Sequence, residues 1–126
     1  MQYADSKKGW VSMQIRTNGN TLIVAITGDM DHYNVGPMRS AIDKEIREKP
    51  IKNLVFDLSN LDFMDSSGIG LILGRYKRIR EMEGKVFIAA AKPEVERVIN
   101  LSGLHKIIPL YETMEKAEKR VCGVIK

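Results

Sequence analysis

The chain has 126 residues, 44% of them hydrophobic and 29% charged, with 20 Lys and Arg against 16 Asp and Glu for a formal net charge of +4. That length suits one domain, able to bury roughly two-thirds of its unfolded surface without staples, and the mild charge argues against a dedicated nucleic-acid stripe. The single cysteine, Cys122, excludes an internal disulfide and suits a reducing cytoplasm; no apolar run is long enough to span a bilayer, and the polar start, Met1 to Lys8, has no signal-peptide core.

Met1 to Gly9 reads as a flexible leader to a domain over 10–126. Val11, Met13 and Ile15 alternate with polar residues, which predicts a half-buried strand to Thr17. Asn18-Gly19-Asn20 is a hairpin signal, and Leu22 to Ile26 forms a second strand apolar on both faces, ending at Gly28. Asp29 to Asn34 is an acidic loop carrying His32. Met38, Ala41, Ile42 and Ile46 then mark an amphipathic helix with Pro37 in its first turn, ended by Lys49-Pro50.

Asn53 to Leu58 is the third strand, and Ser59 to Met64 a connector pinned by Leu61 and Phe63. A long helix runs from about Ser66 to Met82, with a stripe of Ile69, Ile72, Leu73, Tyr76 and Ile79 and with Gly84 as its C-cap. Its basic residues Arg75, Lys77, Arg78 and Arg80 read as a solvated face. Lys85 to Ala91 holds a fourth strand. Pro93 opens a short helix with Val95, Val98, Ile99 and Leu101, closed by Gly103. Lys106 to Tyr111 is a short edge strand, since Pro109 cannot donate to a ladder. Met114, Ala117, Val121 and Val124 mark a terminal helix. The order ββαβαβαβα predicts an α/β domain with a small, mostly parallel mixed sheet.

The chemistry concentrates at Asp65-Ser66-Ser67-Gly68-Ile69-Gly70, between strand and helix. Asp65 or Ser66 can cap the helix, but a cap calls for neither a second serine nor Gly-x-Gly. No Lys follows the glycines, which excludes a P-loop, and Leu73 stands where a dinucleotide fingerprint has its third glycine. Neither serine has the G-x-S-x-G flanks of a nucleophile elbow. His32 is the one base that could approach, so a small nucleotide-binding or hydrolytic enzyme using Asp31, His32 and Ser66 is the alternative from another class. Asp29, Asp31, His32 and Asp65 lack paired metal-ligand spacing. What remains is a serine that accepts a phosphoryl group at the positive end of a helix, near free N–H donors.

The run Phe63-Met64-Asp65-Ser66-Ser67-Gly68-Ile69-Gly70, continued through Gly74-Arg75-Tyr76-Lys77, resembles the signature of the anti-sigma factor antagonists, the STAS domain proteins. Gly28-Asp29-Met30-Asp31-His32 is similar to that family's acidic loop, and Leu101 to Ile108 to its segment before the last strand. The resemblance covers about residues 10 to 122, and its wording is that of the sporulation branch, which acts on the anti-sigma-F factor. It implies a single STAS fold, no enzyme activity, and Ser66 as the phosphorylated residue. It implies contacts with a partner kinase through Asp31, Asp65, Ser67, Gly68, Ile69 and Gly70. The implied partners are an anti-sigma factor with serine kinase activity, bound in its ADP state and phosphorylating with ATP, and a PP2C-type phosphatase. Related stress-response antagonists and scaffolds share the sheet and are the alternative within the family.

Overall fold

The computed structural model describes the backbone of residues 2–6 and 9–125 and the side chains of residues 11–121. Its elements are β1 (Gln2–Ser6), β2 (Gly9–Asn18), β3 (Thr21–Met30), α1 (Val35–Glu48), β4 (Asn53–Met64), α2 (Ser66–Glu81), β5 (Val86–Ala89), α3 (Pro93–Ser102), β6 (Leu110–Tyr111) and α4 (Met114–Ile125). The strands form one six-stranded sheet in chain order. β1, β2 and β3 pair antiparallel, and β3 to β6 are parallel.

This is the predicted order with one strand added in front. Residues 2–6 of the expected loose leader form β1, with Gln2 opposite Ser12 and Tyr3 opposite Val11. Met1, Lys7 and Lys8 lie outside the described residues, as do the side chains of Cys122 and Val124. Gly19 turns the β2–β3 hairpin at φ +62°.

Successive parallel strands advance in one direction across the sheet, so right-handed crossovers set α1, α2 and α3 on the same face. There Met38, Ile42, Leu71, Ile72, Val95 and Ile99 pack with Leu22, Val24, Ile26, Leu54 and Phe56 in the main core. α4 covers the other face, where Ala117 and Val121 meet Ile23, Val55, Phe87 and Ala89. β3 and β4 are therefore apolar on both sides, as buried parallel strands are.

Several boundaries depart from the sequence reading. β3 continues past Gly28 to Met30, and the supposed connector Ser59 to Met64 is strand. Its register slips twice, between Ala25 and Thr27 and between Gly28 and Asp29, each time with one more residue on β4 than on β3. Such bulges break the two-residue alternation by which a strand is recognised. Leu61 and Met64 are buried there, while Phe63 is only partly so.

At the end of α2 the left-handed residue is Glu83, at φ 61°, and not Gly84. Gly84 is needed for closeness instead: a Cβ there would stand 1.6 Å from the Lys52 carbonyl oxygen. Gly103 does close α3, at φ 83°. The last strand keeps only Leu110 and Tyr111, because Leu104–Lys106 makes a turn of 3-10 helix. Leu101 leaves the apolar stripe of α3 and is 79% exposed.

Candidate functional site

β3 and β4 end side by side, with Asp29 opposite Phe63 and Met30 opposite Met64. The chain then turns into α2, and the Asp65 N–H donates to the Met30 carbonyl at 3.2 Å. The two acidic segments thus leave the same end of the sheet, where open α/β folds present their sites.

Of the two candidate caps, Asp65 is the one used. Its backbone is extended and its Oδ1 accepts the Ser67 N–H at 2.8 Å. Its carbonyl accepts the Gly68 N–H at 3.0 Å and the Ile69 N–H at 3.3 Å. Three of the first four donors at this helix start, those of Asp65, Ser67 and Gly68, are thereby engaged within the protein. The sequence predicts an anion cradle of free N–H groups here; the geometry leaves the Ser66 N–H for that purpose among the described residues.

Ser66 is exposed in the first turn of α2, and Ser67 is half-buried. Gly68 is buried for a steric reason: a Cβ would lie 2.6 Å from Met64 Cγ, 3.1 Å from Met30 Cβ and 3.3 Å from the Met30 carbonyl. Glycine here seats the helix on the ends of β3 and β4. Gly70 is exposed with nothing within 4 Å of its Cβ position, and Ile69 between the two glycines is partly buried.

Asp31 reaches this end of the sheet but turns inward, with 4% exposure. Its Oδ1 accepts the N–H groups of Tyr33 at 2.9 Å and Asn34 at 3.1 Å, and its carbonyl accepts those of Asn34 and Val35. Asn34 Nδ2 donates back to the Asp29 carbonyl at 2.9 Å. The carboxylate therefore shapes the turn into α1. His32 and Tyr33 stand outside it, exposed and edge-to-face at 4.8 Å. No hydrogen bond joins His32 to either serine hydroxyl, and no group of three or more His, Cys, Asp or Glu could hold a metal, among the described residues. No described helix is long and apolar enough to cross a membrane.

Two features nearby escape the sequence reading. Lys92 Nζ pairs with Asp62 Oδ1 at 2.6 Å, tying the start of α3 to the end of β4. On α2, Arg75 is not on a solvated face. It falls on the line Gly68, Ile72, Arg75, Ile79, whose 3–4-residue spacing is that of a buried helix stripe. Its side chain is 11% exposed and its Nε lies 3.1 Å from Asp43 Oδ1 on α1, with Arg78 Nη1 at 3.3 Å from the same oxygen. Burial lowers the Arg75 pKa below its ordinary value; Asp43 opposes this, and Arg39 and Arg78 add to it.

A family model for the STAS domain matches residues 12–117. The chain is 37% identical over 102 residues to an anti-sigma F factor antagonist of Paenibacillus polymyxa, spanning 81% of this chain and 87% of that one. The structure of the anti-sigma factor antagonist SpoIIAA in its unphosphorylated form superposes with a TM-score of 0.80 at 30% identity, covering 89% of this chain and 97% of that one. The phosphorylated form of the Bacillus cell fate determinant SpoIIAA gives a TM-score of 0.71 at 29% identity, covering 87% and 99%. With a domain match over most of its length, and relatives and structures that agree, the chain belongs to the STAS domain family of anti-sigma factor antagonists.

Proposed function

We propose that this protein is a cytoplasmic partner switch controlled by phosphate on Ser66. Unphosphorylated, it binds an anti-sigma factor that is also a serine kinase, and so frees a sigma factor for sporulation transcription. The kinase, with ATP, phosphorylates Ser66 and ends the association; a PP2C-type phosphatase restores it. Asp65, Ser67, Gly68, Ile69 and Gly70 form the surface the kinase meets, and Asp31 holds the neighbouring turn in shape.

The observation that carries this reading is the setting of Ser66. Its exposed hydroxyl sits on a rigid helix start whose neighbouring donors are already taken by Asp65. A phosphate there, bearing about −1.5 to −2 charges, stays at the surface and meets whatever the partner presents. If an acidic group of the partner lies about 4 Å away, one like-charge pair at an effective dielectric near 20 is unfavourable by about 4 kcal/mol. That is nearly a thousandfold in affinity, and it requires no rearrangement of this fold. The relative solved in both unphosphorylated and phosphorylated forms supports the same reading.

The test is incubation with the cognate kinase and ATP followed by mass spectrometry. One phosphate is expected, on Ser66. Ser66→Ala retains kinase binding and takes no phosphate, and Ser66→Asp binds more weakly. A single phosphate on another residue would sink the site assignment, and native affinity in Ser66→Asp would sink the electrostatic account.

A further inference from the structure

The chain swings away from β5 just before the last strand. Leu104–Lys106 is a turn of 3-10 helix and Pro109 has no N–H to donate, so β6 begins only at Leu110 and pairs with Ile88 and Ala89. Among the described strands, none lies beside Val86 on that side. The gap is a cavity of about 420 Å³, bounded by the last turns of α2, the start of β5, and Ile107 and Pro109. This volume falls within the range of small-molecule sites, roughly 300–1,000 Å³. Tyr76 and Val86 belong with the main core, on the face away from α4, and α4 has crossed to the β2–β3 hairpin by Val121.

The walls join exposed apolar surface to an oriented cation. Ile107 is 47% exposed, and Pro109 is exposed as well. Arg80 Nη1 donates to the Tyr76 hydroxyl at 2.7 Å. That bond holds the guanidinium of a long side chain in place. It leaves the other guanidinium N–H groups, and the tyrosine's own O–H, to donate elsewhere. Lys85 adds a second cation at the rim against one carboxylate, Glu83, so the rim is net positive. Neither Arg80 nor Lys85 is paired with a carboxylate among the described residues. The unmet requirement is an anion, and a planar carboxylate matches the edge of a guanidinium.

We propose that this cavity binds a small carboxylic acid with a flat apolar body. The carboxylate meets Arg80, the Tyr76 hydroxyl and Lys85, and the body lies against Ile107 and Pro109. Arg80 is fourteen residues along α2 from Ser66, about 21 Å at 1.5 Å per residue. The site is therefore separate from the Ser66 segment, and it does not depend on the phosphorylation reading.

The experiment is amide-resolved NMR titration of the full chain with para-propylbenzoate and with para-propylbenzamide, which has the same body and no charge. The expected shifts cluster at Tyr76, Arg80, Lys85, Val86 and Ile107. The acid is expected to bind about tenfold more tightly than the amide, the worth of a hydrogen bond between charged groups. Arg80→Met keeps the apolar stem of an exposed side chain; it is expected to fold and to lose most of that preference. Glu83→Gln is expected to strengthen the preference, and Ile107→Ser to weaken both probes alike. Absent or scattered shifts, equal affinities for the two probes, or a preference undiminished in Arg80→Met would overturn the site.

Discussion

The Asp65 N–H donates to the Met30 carbonyl at 3.2 Å, so the last residue of β3 is part of the cap of α2. The two sequence segments that carry the acidic residues are thus one mechanical unit. Asp65 holds it from both sides, by its own N–H to Met30 and by its carboxylate to the Ser67 N–H at 2.8 Å.

Removing that carboxylate tests the cap directly. Asp65→Ala is expected to lose about 1 kcal/mol of stability, whereas Asp65→Asn, which can still accept the Ser67 N–H, loses far less. The difference is readable as a shift of about 4 °C between the two variants' thermal melts.

Gly68 and Gly70 should respond oppositely. Gly68→Ala drives a methyl against Met64 Cγ and Met30 Cβ and should destabilise by about 1–3 kcal/mol. Gly70→Ala meets nothing and removes glycine's entropic penalty in a helix, so stability rises by about 0.5–1 kcal/mol. If the kinase backbone approaches at Gly70, the same variant binds the kinase more weakly despite being more stable. Urea denaturation and a binding isotherm on one preparation separate the two effects.

Adjacent residues at the end of α2 give a second contrast. Glu83 holds a positive φ that favours glycine, so Glu83→Gly is expected to stabilise by up to about 1 kcal/mol. Gly84→Ala brings a Cβ onto the Lys52 carbonyl and is expected to cost more than about 3 kcal/mol. Equal midpoints for these two in a denaturant series would contradict the geometry.

Among the described residues, Asp43 is the one carboxylate paired with Arg75 and Arg78. Asp43→Ala leaves the Arg75 cation desolvated and faced by Arg39 and Arg78, and should cost about 2 kcal/mol, between the values for exposed and buried pairs. Arg75→Leu in that background should recover much of the loss. A double-mutant cycle with clear non-additivity is the expected result.

The regular parts of the fold were legible because their periods are intact. Val11 and Met13 alternate as a half-buried strand should, and Met38, Ile42 and Ile46 repeat as a helix face. Legibility failed where a tertiary contact overrode the local pattern. The bulges opposite Ala25–Thr27 and Gly28–Asp29 broke the alternation of β4, so residues Ser59 to Met64 read as a connector. Arg75 read as solvent-facing because its charge outweighed its position one turn from Ile72 and Ile79. At the site, the stretch Asp65 to Gly70 was visible from residue types alone. The division of labour within it was not, since whether Gly68 or Gly70 is sterically required depends on where Met30 ends.

The sheet places each strand beside its neighbour in sequence, from β1 at one edge to β6 at the other. A strand leaving the ribosome therefore finds its partner already synthesised, and pairing need not wait for a distant segment. Each parallel pairing closes a loop only as long as one crossover helix, which keeps its entropic cost small. Assembly can thus follow the direction of synthesis, with the Ser66 end of α2 seated on β3 and β4 before the last strand and helix have been made.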